Sequence, residues 1–336
     1  MTDKEQLVAA LKTKFDVPLG TDIQAGLLSS DPFVKTPGSF NARYLTSRLP
    51  LLQTDESSES SIREKYIYRS GALSHLRPEG IEAIKALGIK DIFDLRSEKE
   101  RDSEPDPSID GIEGHWHPNT KDNITIIPDT EIQADGTVKV SSMSPGRVEL
   151  IIQFEDNYLV LLISHKDVYR AILLHIRDHP DRPFLYHCLG TIPLFVQNWQ
   201  TGGKDRTGVI SALILYIAQV PLDTINLDYI LTRVGIEPAR AALAQKAKEA
   251  GAYLDPENPR FQLWAQCPWV VGIDGGPGTD VSDGAMPKLF KRMESQEYKG
   301  VDGYFKTVLG LSDSDLAQIR ENLRVDRSPI QPMNKL

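Results

Sequence analysis

The stretch from Phe184 to Val220 constrains this chain more than any other. The run "FLYHC" (184–188) is short and apolar, and "TGVISALILYIAQV" (207–220) is apolar at helical spacing and nearly all round. The first reads as a strand, and the second as a helix buried against a sheet. Upstream, "KYIYRS" alternates like a strand, Pro78 opens a helix that Gly88 closes, and "DIFDLR" is a short buried strand. A helix around Tyr158 to His179, broken by "HPDRP", precedes "FLYHC". Strands alternating with helices predict an α/β fold with a mainly parallel central sheet flanked by helices.

The rest of the chain reads more simply. The N-terminus carries acids and lysines through its apolar positions, which predicts a soluble helix rather than a signal peptide. Leu51 to Ile62, "LLQTDESSESSI", reads as a solvated loop, and Gly251 to Met286, dense in Gly, Pro and Asp, as an irregular excursion. The Gly-Gly-Pro-Gly within it is a weak phosphate-loop candidate beside the plainer reading as a turn. Ser312, with Asp315 three residues on, predicts a capped helix start in a helical C-terminal part. The whole of 1–336 is expected to form one domain. A net charge of -9 without a basic run argues against nucleic-acid partners, and no apolar run approaches a membrane span. Two cysteines, Cys188 and Cys267, make no disulfide framework, so a cytoplasmic setting is expected, with Cys267 as an ordinary packed residue.

The chemistry concentrates where the strand "FLYHC" gives way to the helix. A loop from a strand's end to a helix N-terminus gathers backbone N–H groups and the positive dipole end, which favours an anion. Cys188 ends the strand and Arg206 stands before the helix, so a guanidinium can hold two phosphate oxygens while the local field lowers the thiol pKa. Those are the parts of nucleophilic phosphate displacement. Cys188 is the candidate nucleophile. Arg206 and the backbone of Gly203 to Arg206 are candidate phosphate donors, with Lys204 adding charge, Thr207 bonding the sulfur and Gly208 allowing close packing. Asp205 is either the general acid or a positioner of its neighbours. Asp94 is the alternative acid, unless it simply pairs with Arg96. Arg69 and Ser70 are candidates for lining the pocket or for structural hydrogen bonding. His187 either tunes the thiolate or packs behind the loop. His115 and His117, in "HWH", lack further ligands at metal-binding spacing and read as packing residues.

The segment "GKDRTG" (203–208) resembles the second half of the loop His-Cys-x-x-Gly-Lys-Asp-Arg-Thr-Gly of bacterial and fungal tyrosine and phosphoinositide phosphatases. "NAR" at 41–43, "YRSGALSHL", "LGIKDIFDLRSEKE", "DYILTRVGIEPAR" and "YKGVDGYFKTVLGLSDSDL" are similar to that family's segments, in its order. The resemblance implies a cysteine-phosphatase-like fold, hydrolysis through a phosphocysteine, phosphotyrosine-protein or phosphoinositide substrates, and no metal or other cofactor. Such loops put five residues between Cys and Arg, whereas Cys188 and Arg206 enclose seventeen. Deleting Thr191 to Gly202 restores "HCLGGKDRTG", so those twelve residues look like an insertion, either a bulge between stems that still meet or translated intron. The interruption also leaves open a second class, a pseudophosphatase scaffold that keeps the fold without turnover. A sulfur-transferring Cys domain fits Arg206-Thr207-Gly208 less well than phosphate chemistry does.

Overall fold

The structure is a computed structural model that describes residues 3–13, 17–47, 62–119, 130–132, 138–140, 154–191, 200–249, 284–294 and 298–324. Cys267, most of the 251–286 excursion and all but Ile62 of the Ser/Glu-rich 51–62 segment lie outside the described residues. Ile62 itself is buried and bridges to Arg324.

The described fold is α/β with a five-stranded, mostly parallel sheet. Strands β1 (Arg43–Tyr44), β2 (Ile67–Ser70), β3 (Asp91–Asp94), β4 (Glu113–Trp116) and β7 (Phe184–His187) run in the order β1-β2-β7-β3-β4. Only the β1–β2 pair is antiparallel. Two short ladders lie apart from it, β5 (Thr130–Ile132) with β6 (Val138–Val140), and β8 (Leu189–Thr191) with β9 (Gln200–Gly202).

Helices α1 (Asp3–Lys12) and α2 (Thr21–Leu28) precede the sheet, and α3 (Pro78–Ala86) and α4 (Glu98–Ser103) connect its strands. Pro78 sits at the start of α3, where its missing N–H costs nothing, and Gly88 closes it at φ 75°. The expected helix around Tyr158 to His179 is two, α5 (Phe154–Ser164) and α6 (Lys166–Asp178). His165 leaves helical geometry between them at ψ 12°, its Nδ1 2.8 Å from the Ser164 hydroxyl.

Helix α7 (Asp205–Ile217) is buried along nearly its whole length, as its all-round apolar surface requires. After it come α8 (Leu222–Ile230), α9 (Thr232–Gly235), α10 (Glu237–Glu249), α11 (Ala285–Met293), α12 (Gly300–Thr307) and α13 (Asp313–Leu323), of which α8 and α13 pack on it. Ser312 and Asp315 close the capping box that starts α13. One core cluster joins the sheet, α6, α7 and the C-terminal helices, which fixes α7 rigidly against β7. Strand β2 is buried throughout instead of alternating, and it carries Arg69 and Ser70 inward.

Candidate active site

In an open α/β sheet, ligands bind beyond the carboxyl ends of the parallel strands. Here those ends are in register, with Ser70 and Asp94 both opposite His187, so Cys188 emerges at the middle of the sheet's edge. Arg206 lies in the first turn of α7, whose unpaired N–H groups and dipole suit an anion.

Cys188 and Arg206 meet because the chain between them returns on itself. It leaves as β8 and comes back as β9, with Leu189 opposite Gly202. The Gly203 N–H then donates to the Cys188 carbonyl at 3.2 Å, joining the two stems at the base.

Three buried side chains hold that junction from outside. Asn41 donates Nδ2 to the Gly202 and Gly203 carbonyls, both at 2.9 Å. Arg69 donates Nη2 to the Gly203 carbonyl at 2.9 Å, the Lys204 carbonyl at 3.2 Å and the Thr207 hydroxyl at 2.9 Å. Asp228 in turn accepts from Arg69 Nη1 at 2.5 Å and from Arg43 Nε at 3.1 Å. Burial pushes the Asp228 carboxyl up, but the charges of Arg69 and Arg43 outweigh it and hold the group below its ordinary value. Gly203 takes φ 66°, and a Cβ there would lie 2.2 Å from the Ser70 carbonyl oxygen, so the turn admits only glycine. At Gly208 a Cβ would fall 2.7 Å from Tyr229 Cδ2, so the residue lets α7 and α8 approach.

Arg206 is already engaged. Its Nη1 and Nη2 form a fork on the Glu100 carboxylate, at 2.8 to 3.1 Å, and Nη1 also donates to the Leu189 carbonyl at 3.1 Å. Glu100 closes the capping box of α4, accepting from the Ser97 N–H at 2.8 Å, so α4 delivers the carboxylate to the loop. Burial raises the Glu100 carboxyl, but Arg206 lowers it further, and the net shift is down. Behind the loop, Tyr169 donates to the Arg206 carbonyl at 3.1 Å. Burial first, and then the charge of Arg206, push the His165 imidazole down to about 3, so it stands there neutral.

The thiol does not meet the expectation of a lowered pKa. Cys188 is fully buried, and that burial pushes it up. The charge of Arg206 and the Thr207 N–H, which hydrogen-bonds the sulfur, pull it down, while Asp205 and Glu100 push it up again. The physical reason is burial first, which outweighs the positive field on which the expectation rested, with Asp205 and then Glu100 answering part of that field. Thr207 reaches the sulfur through its backbone, and its hydroxyl accepts from Arg69.

Asp205 Oδ1 accepts from Tyr158 at 3.1 Å and Tyr229 at 3.2 Å, and Lys204 Nζ stands 3.6 Å from the same oxygen. Lys204 is buried and also lies 5.8 Å above the Tyr229 ring centroid. Asp94, the alternative acid, is committed elsewhere. It accepts from Arg96 Nε at 2.9 Å, Arg96 Nη2 at 2.8 Å and Arg101 Nε at 3.1 Å, which is the pairing role.

Among the described residues two clusters combine metal-ligating types, Asp94 with Asp106 and His187, and Asp91 with Glu113 and His115. In both, arginines already occupy the carboxylates. Arg96 reaches Asp106 at 2.5 Å as well as Asp94, and Arg182 donates Nε and Nη2 to Asp91, both at 2.8 Å. His187 is buried behind the loop, 3.0 Å from Asp106. His115 stacks on Phe93 and lies 2.8 Å from Asp91, a packing position.

A buried cysteine at a strand's carboxyl end, an arginine in the first helical turn and a glycine-cornered loop between them are joined here by a wider agreement. The sequence matches the tyrosine phosphatase family over residues 34–325. The chain belongs to the tyrosine phosphatase family. Its members are phosphoric monoester hydrolases, and phosphorylated substrates follow from that membership. The chain is 24% identical over 260 residues to a tyrosine-protein phosphatase of Nostoc commune, covering 76% of this chain and 73% of the relative. It is 22% identical over 253 residues to the triple specificity protein phosphatase PtpB of Mycobacterium tuberculosis, covering 70% of this chain and 83% of the relative. No helix among the described residues is long and apolar enough to cross a membrane.

Five residues that position this phosphatase loop carried no role in the sequence reading: Asn41, Asp228, Tyr229, Glu100 and Tyr158. Asn41, Asp228 and Tyr229 stand inside segments noticed only for their resemblance. Glu100 had a usable signal, since "SEKE" (97–100) is a capping box. Nothing local marks Tyr158.

Proposed function

We propose that the protein is a cysteine-dependent protein tyrosine phosphatase, cytoplasmic, with 1–336 acting as one catalytic domain. In this reading the Cys188 sulfur attacks phosphorus, Arg206 and the N–H groups of Lys204 to Arg206 hold the equatorial oxygens, Gly203 turns the loop with its own N–H on the Cys188 carbonyl, and the leaving oxygen takes a proton from Asp205. Water then hydrolyses the phosphocysteine. Lys204 adds charge to the loop and extends the substrate range to phosphoinositides. Gly208 keeps the helix start close to the pocket, and Thr207 supports the thiolate. The name of the mycobacterial relative, a triple specificity phosphatase, is consistent with such breadth.

The observation that supports this reading is the contact between the Gly203 N–H and the Cys188 carbonyl at 3.2 Å. With the stems joined there, the twelve residues Thr191 to Gly202 act as an insertion that leaves the loop's working parts together. The β8–β9 ladder favours a tolerated bulge over an accident of splicing.

A second reading, a scaffold that binds phosphorylated partners without turnover, draws on two features. Arg206 is forked onto Glu100, and burial holds the Cys188 thiol up. Phosphate release from a phosphotyrosine peptide by the full chain, blanked against Cys188→Ser, decides between them. Turnover by the full chain supports the enzyme. Binding without release by the full chain, together with turnover once Thr191 to Gly202 are removed, supports the scaffold.

A further inference from the structure

At the N-terminal end of α7, three oxygens from three elements converge. The hydroxyls of Tyr158 (α5) and Tyr229 (α8) lie 2.5 Å from each other, and at 3.1 and 3.2 Å from Asp205 Oδ1. The rings meet edge to face, with centroids 6.3 Å apart. Both tyrosines are buried at 2% exposure or less, whereas the Asp205 side chain keeps 19% of its surface open. All the hydrogen bonds that described residues make to this carboxylate fall on Oδ1. None falls on Oδ2.

Aromatic packing alone does not ask for this arrangement. Two phenylalanines would fill the same space, and a buried phenol is costly unless its hydroxyl finds a partner. Here the two hydroxyls, bonded to each other, converge on one oxygen of a loop carboxylate. Hydroxyls fixed on Oδ1 set the direction of Oδ2.

We propose that Tyr158 and Tyr229 are positioning residues, which orient Asp205 so that Oδ2 delivers the proton to the leaving group. The inference rests on the phosphatase reading above. In the first step the S–P bond forms as the P–O bond to the leaving group breaks. The bonding pair goes to the leaving oxygen, which takes the Oδ2 proton. The carboxylate left behind is held by two phenols and Lys204. In the second step that carboxylate takes a proton from water as the water oxygen bonds phosphorus and the S–P pair returns to sulfur. The cycle closes with Asp205 protonated and Cys188 as thiolate.

The test is leaving-group dependence, using the full chain with phenyl phosphate, whose leaving group needs a proton, and 4-nitrophenyl phosphate, whose leaving group scarcely does. Tyr158→Phe and Tyr229→Phe are expected to lower kcat/KM on phenyl phosphate by about 10- to 100-fold, and on 4-nitrophenyl phosphate by no more than about threefold. In an Asp205→Asn background neither tyrosine change should add a further loss. Equal losses on both substrates would reduce the tyrosines to packing and overturn the inference while leaving the phosphatase reading intact. No phosphate release from either substrate by the wild-type chain would overturn both. Should one variant fail to fold, the other and the Asp205→Asn comparison still decide.

Discussion

Glu100 controls what the two reacting residues can do. Its carboxylate takes the Arg206 fork and at the same time pushes the Cys188 thiol up. Removing that charge with Glu100→Gln should favour the thiolate and raise the rate of Cys188 alkylation at a fixed pH below the thiol midpoint. The measurement is the pH dependence of iodoacetamide labelling, and an unmoved midpoint would mean that Glu100 does not set the thiol's charge. Gly203 supplies a second test at this scale. A Cβ at φ 66° would run into the Ser70 carbonyl, so Gly203→Ala should cost at least about 1–3 kcal/mol and open the loop, read as a fall in both melting temperature and phosphate affinity. The residue types of the loop were legible in "GKDRTG", because the chemistry itself demands them. The direction of the thiol shift was not. It depends first on burial, and then on the balance of Arg206 and Thr207 against Asp205 and the sequence-distant Glu100.

Among the elements, the carboxyl edge of the sheet and the start of α7 are joined by buried charge. Asp228, on α8, accepts from Arg69 on β2 and Arg43 on β1, and Arg69 passes on to the carbonyls of Gly203 and Lys204. Asp228→Asn would leave two buried guanidinium groups without their counter-charge, an expected loss of about 3–5 kcal/mol in urea unfolding. A variant as stable as the parent would mean the network carries little. The same carboxyl links stability to acidity. Its folded-state pKa is depressed, as is that of Glu100, so their contributions are fully present above the unfolded carboxylate value, roughly pH 4, and are lost as pH falls through the folded values. The slope of stability against pH below that point should flatten in Asp228→Asn. Helical spacing made α7 legible, short apolar runs gave β3 and β7, Pro78 and Gly88 gave α3, and capping chemistry gave the start of α13; β2 was placed by an alternation that its burial does not follow. Helical spacing did not give the break at His165, which leaves helical geometry within an otherwise continuous helical pattern. Nor could alternation in "KYIYRS" reveal that Arg69 points inward, since its partner, Asp228, is 159 residues away.

For the whole molecule, the question is whether a loop with seventeen residues between nucleophile and guanidinium still makes one phosphate site. The register of β2, β3 and β7 sets Cys188 at the centre of the sheet's edge, α7 is locked into the core behind it, and the β8–β9 ladder returns the chain to the Gly203 turn. The sequence exposed the problem, because the spacing from Cys188 to Arg206 could be counted. The closure depends on Asn41, Arg69 and Asp228, which only the folded chain brings together. The most direct test is to quench the full chain during its reaction with a radiolabelled phosphotyrosine peptide and map the label by mass spectrometry. Phosphate on Cys188 of the full chain, absent in Arg206→Ala, is the result this account predicts. Label appearing only after Thr191 to Gly202 are deleted would contradict it, and would mean that the joined stems do not make a working site.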